Sequence, residues 1–164
     1  MTRNFVLAAA LAVTASFASA QTLPPSSADI RTSEQIRKQA ADMLVQARSN
    51  PGGVASVTLE KYPNHYTMLT VRTKSGGVEM HKSAADFFIV IEGEATILTG
   101  GTIADPKEAQ PGETRGTKLT GAQSRTVHPG DVVHIAPGVP HQTLVAPGKI
   151  FTYYVIKVIQ PEAK

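Results

Sequence analysis

Four side chains in two distant segments have the types and spacing to hold a divalent metal: Glu79, His81 and Asp86 in the first, His141 in the second. In Val78-Glu79-Met80-His81, apolar and polar residues alternate. Alternate residues of a strand share a face, so Glu79 and His81 point the same way. Asp86 follows four small or polar residues later, ahead of the apolar, β-favouring run Phe87 to Ile91, which reads as a buried strand. Glu92-Gly93-Glu94 breaks that run as a turn. The second segment, residues 129–141, places a strand between two Pro/Gly turns and ends in His141. The expectation is that His81, Asp86 and His141 meet inside a small β-barrel around one ion. Two imidazoles and one carboxylate suit Mn, Fe, Zn or Ni and leave coordination positions open for a substrate. Glu79 then serves as a fourth, oxygen ligand or as a catalytic general base. The alternative is a site without metal, in which Asp86 simply satisfies a buried His81.

The elements that must position these groups are mostly strands. Alternation predicts strands over 54–62, 65–73, 87–91, 95–99, 124–128, 132–135, 143–145 and 151–159, besides the one that carries Glu79 and His81. Turns at Pro63-Asn64 and Lys74-Ser75-Gly76-Gly77 separate the early ones. Residues 100–123 are polar and rich in Gly, Pro, Lys and Glu, and read as an extended hairpin loop with a short strand near Thr117 to Leu119. A single helix is expected from Ser33 to Ser49. Ile36, Ala40, Met43, Leu44 and Ala47 recur on one face, Thr32 with Gln35 forms a capping box, and Asn50-Pro51-Gly52-Gly53 ends it.

Length and composition narrow the class. The 164 residues suit one domain with a modest core, at 41% apolar and 5% aromatic residues. A formal net charge of +3 with scattered Lys and Arg argues against a nucleic-acid surface. Residues 1–20 read as a cleavable signal peptide: Arg3, an apolar run from Phe5 to Phe17, and Ala18-Ser19-Ala20 before Gln21. That run is too short to span a membrane. The expectation is therefore a periplasmic or secreted protein with no membrane span, made of a leader (1–20), a lead and amphipathic helix (21–53) and a barrel (54–160). With no cysteine, it is stabilised by packing, and by metal if one binds, rather than by disulfides.

The two segments resemble the paired motifs of the cupin superfamily, whose small barrels are double-stranded β-helices of the jelly-roll type. Asp86, six residues and Gly93 match the end of the first motif; Gly130 to Ile135 and Gly138-Val139-Pro140-His141 match the second. The resemblance covers about Leu69 to His141, and Phe151 to Val158 fits a final barrel strand. Only one histidine stands where the first motif has two. In one register His81 takes the second histidine position and Glu79 the first, which keeps the spacing to Asp86. In the other His81 is first, Ser83 replaces the second histidine, and a deletion is needed. The first is preferred for its spacing. Asp86 replaces the usual Glu, Pro137 comes one place late, and Val145 stands where the closing Asn would be.

The resemblance implies an all-β fold with one N-terminal helix, a small-molecule substrate or ligand, a homodimer, and dioxygenase, isomerase, decarboxylase or lyase chemistry alike. A non-catalytic barrel binding a small ligand such as a sugar, or a structural dimer with a lost metal site, are the competing readings. Of the remaining candidates, His134 is expected on the face away from the site, His65 in a turn and His128 at the surface. One of Tyr153 and Tyr154 points inward, and Arg72 either meets an anionic substrate or lies on an exposed face.

Overall fold

The computed structural model describes residues 28–160. The leader expected over 1–20, with its cleavage site after Ala20, lies outside the described residues. Helix α1 spans Ser33–Ser49 as expected. The Thr32 hydroxyl accepts from the Gln35 amide at 3.2 Å, and the Gln35 side chain accepts from the Thr32 amide at 2.8 Å, completing the capping box.

Thirteen strands follow: β1 Val54–Lys61, β2 His65–Arg72, β3 Val78–His81, β4 Ala84–Gly93, β5 Ala95–Thr99, β6 Thr102–Ala104, β7 Lys107–Gln110, β8 Glu113–Gly116, β9 Lys118–Thr120, β10 Gln123–Val127, β11 Val132–Ile135, β12 His141–Leu144 and β13 Phe151–Ile159. One five-stranded sheet has the order β1-β2-β13-β4-β11, and a six-stranded sheet the order β10-β5-β12-β3-β8-β7. Strands β6 and β9 form a separate pair. The inner core lies between the two large sheets, where Phe88, Val90, Ile97, Ile135, Phe151 and Val155 are buried. Helix α1 closes the outer face of the first sheet. Its Ala40, Met43 and Ala47 pack on Leu59, Leu69 and Val71. Strand β2 thus alternates Leu69 and Val71 toward the helix with Met68, Thr70 and Arg72 toward the interior.

Two segments differ from the sequence expectation. Residues 100–123 hold four short strands rather than a loop around one. Strands β6 and β9 pair with each other and β7 with β8, while β8 also pairs with β3, which joins the segment to a strand far away in the sequence. Gly116 makes the route possible, because a Cβ there would collide with the Ile103 side chain. Strand β4 also begins earlier than the apolar run, at Ala84, which puts Asp86 inside the sheet. At the other end of β4, Gly93 has φ +79°, and a Cβ there would run into the Ile150 carbonyl oxygen, so only glycine fits.

Candidate metal centre

Cross-strand register assembles the site. Glu79 on β3 is the register partner of His141 on β12, and on its other side of Arg115 on β8. His81 is the partner of Glu113. From the opposing sheet, Asp86 on β4 is the partner of Lys157 on β13. The turn ahead of His141 is tied to β3 by the Gly138 amide, which donates to the His81 carbonyl at 2.8 Å. Glu79, His81, Asp86 and His141 therefore approach one another from three strands and two sheets.

His81 Nε2 lies 3.3 Å from Asp86 Oδ2 and 3.9 Å from Glu79 Oε2. His141 Nε2 lies 3.3 Å from Glu79 Oε1 and 3.5 Å from Asp86 Oδ2. Both Nε2 atoms are buried, and among the described residues neither makes a well-directed hydrogen bond. An unsatisfied buried polar atom costs about 1–3 kcal/mol, so two side by side call for a partner. Atoms bonded at about 2.0–2.2 Å to one ion lie roughly 3–3.5 Å apart, which the observed spacing approaches. One ligand atom each from Glu79, His81 and His141 falls within 4.8 Å of the others. The donor set therefore fits a divalent ion. His141 is oriented for it: Nδ1 donates to the Val139 carbonyl at 3.1 Å, which leaves Nε2 facing the cluster.

The charges around the cluster are interlocked. Burial would raise the Glu79 carboxyl, but the His141 imidazole, the Arg115 guanidinium and His81 hold it down to about 2. Arg115 Nη2 sits 2.8 Å from Glu79 Oε2, and its Nε binds Glu113. Burial would also raise Asp86, yet His141, His81 and Lys157 hold it well below the usual carboxylate range. Burial would lower His141; the adjacent Asp86 and Glu79 outweigh it and raise the imidazole to about 9.

A cavity of about 320 Å³ opens beside the cluster, with Tyr66, Arg72 and Tyr153 in its wall. Tyr153 is the inward tyrosine, and Tyr154 packs outward beside α1. His134 stacks on Phe87 with ring centroids 4.3 Å apart, on the face away from the cavity. His65 stacks on Tyr62 and meets Asn64 in the β1–β2 turn. His128 is at the surface beside Glu94. The sequence reading missed Gln110, Glu113, Arg115 and Lys157. Lys157 was detectable, since it shares a strand face with Tyr153 and Val155. The other three depend on β8 joining β3, and carry no local signal.

No protein-family model matches the sequence, and no curated protein does. Solved structures do match in fold. The TT1209 protein from Thermus thermophilus is 15% identical over 68% of this chain and 89% of its own, with a TM-score of 0.51. A recombinant oxalate oxidase in complex with glycolate is 18% identical over 70% of this chain, with a TM-score of 0.51. The match spans 55% of the oxalate oxidase chain, about half its length. A cupin superfamily protein from Desulfitobacterium hafniense DCB-2 is 18% identical over 65% of this chain and 78% of its own, with a TM-score of 0.45. Two packed antiparallel sheets and the likenesses to the TT1209 protein and the oxalate oxidase show that the chain shares their double-sheet β fold, the architecture that the two motif segments implied.

Proposed function

We propose that this protein is an exported, metal-dependent cupin enzyme that acts on a small polar molecule. One observation carries the reading: two imidazole Nε2 atoms from distant segments converge beside Glu79 and Asp86, buried and without a directed hydrogen bond among the described residues. His81, His141 and Glu79 would hold the ion, with Asp86 as a further carboxylate within reach of both imidazoles. Manganese, iron, zinc and nickel all suit two imidazoles with carboxylates. When bound, the ion supplies Lewis acidity toward an oxygen of the substrate.

The chain's own residues define the rest. A carboxylate held near 2 binds a cation well and takes up a proton poorly, which favours Glu79 as ligand over general base. Lys157 and Arg115 fix the two acids in place. The export and homodimer parts of the proposal rest on the leader and on the resemblance. Mature protein beginning at Gln21 in the periplasm or medium, and a dimer mass in solution, would support them.

Elemental analysis of protein purified from its native compartment tests the central claim. A stoichiometric transition metal, lost in His81→Ala and in His141→Ala, is the expected result. Chelation should then lower the melting temperature by removing ligand-linked stability. Variants that keep full metal content would end the assignment. A second reading has its own support: Asp86 and Glu79 already have cationic partners in Lys157 and Arg115. That favours a metal-free barrel binding a small ligand such as a sugar, and metal-free native protein indifferent to chelator would select it.

A further inference from the structure

The cavity beside the cluster holds a cation that no acid among the described residues neutralises. Three carboxylates line it, from Glu79, Asp86 and Glu113, and three cations, from Arg72, Arg115 and Lys157. Arg115 is paired with Glu79 and Glu113, and Lys157 with Asp86. Arg72 is left over. Among the described residues it meets no carboxylate; its Nε donates to the Tyr153 hydroxyl at 2.9 Å. Tyr153 is only 4% exposed and packs between Phe88 and Phe151, so that hydroxyl is fixed in place. Because the hydroxyl oxygen accepts from Arg72, its own hydrogen remains to be donated. Guanidinium and phenol together thus form a rigid donor pair in the wall of the cavity.

We propose that Arg72 and Tyr153 are the recognition site for the carboxylate group of a small-molecule substrate. This deepens the metal-dependent reading and rests on it for the reacting end of the molecule. A guanidinium fork with one neighbouring O–H matches the two acceptor oxygens and single charge of a carboxylate. The overall balance agrees: three acids against three cations leave the lining near neutral, and a divalent ion would carry it to about +2. The cavity volume falls at the low end for small-molecule sites, roughly 300–1,000 Å³.

The test is calorimetric titration of the protein as purified with acetate, lactate, succinate and glucuronate. Lactamide, glucose and inorganic phosphate serve as controls. At least one carboxylate should bind, and its neutral counterpart should bind about tenfold more weakly or worse. Arg72→Met should erase that preference while metal content stays unchanged. Tyr153→Phe, which keeps the packing, should weaken carboxylate binding several-fold, with folding checked by circular dichroism. The proposal is overturned if no carboxylate binds, if lactamide matches lactate, if phosphate binds more tightly, or if both variants bind carboxylates like the parent. Metal content, measured in parallel, separates the two claims. Arg72-dependent binding by metal-free protein would keep this site and reject the metal, whereas metal with no charge preference would do the reverse.

Discussion

Lys157 Nζ lies 2.7 Å from Asp86 Oδ1, and the two side chains are 12% and 3% exposed. They are direct register partners on β13 and β4, so the sheet ladder itself sets the contact. The pair places a fixed, ionised carboxylate under the two imidazoles. Removing Lys157 leaves Asp86 only its imidazole partners, His81 and His141. Lys157→Met should therefore destabilise the metal-free protein by about 1–3 kcal/mol in urea unfolding, the cost of one lost charge-assisted hydrogen bond. Asp86→Leu in the same background should also lower the pH at which His141 gives up its proton, because the imidazolium loses a carboxylate.

Glu79 should behave as a ligand. Glu79→Gln removes the charge but keeps the shape, and metal affinity should fall by about tenfold or more in a competition dialysis. Unchanged affinity with lost turnover would return Glu79 to the role of general base.

Metal uptake should depend on pH through His141. Its pKa is raised from 6.5 to about 9 in the metal-free protein, so the imidazolium form persists through neutral pH. An ion must displace that proton, so apparent affinity should climb as pH rises towards about 9 and level off above it. Titration calorimetry in buffers of different ionisation enthalpy should show proton release below pH 9. The metal-free fold has the opposite sign. A raised pKa contributes stability that is fully present below about 6.5 and is lost as pH rises through about 9. Chemical denaturation across that window should show the decline.

The inner core is anchored away from the cluster by Phe151, which has no exposed surface and stacks on Tyr153 at 4.9 Å. Phe151→Ala should cost about 3–5 kcal/mol in chemical denaturation. Because Tyr153 would lose its support, carboxylate binding should weaken with it.

The sequence by itself determined the local elements and the faces of the strands. The Thr32–Gln35 box and the spacing of Ala40, Met43 and Ala47 sufficed for α1, since cap and stripe lie within one helix. Two-residue alternation was enough to put Glu79 with His81, and the matched spacing to Gly93 pointed to Asp86. Tertiary structure decided the rest, because strand register is set by partners distant in the chain. Nothing local in residues 100–123 says that Glu113 and Arg115 will lie beside His81 and Glu79; that follows from β8 hydrogen bonding to β3. Nor could alternation say whether Arg72 faces water or the interior. Helix α1 settles it by covering the Leu69 and Val71 face of β2, which turns Arg72 inward to Tyr153.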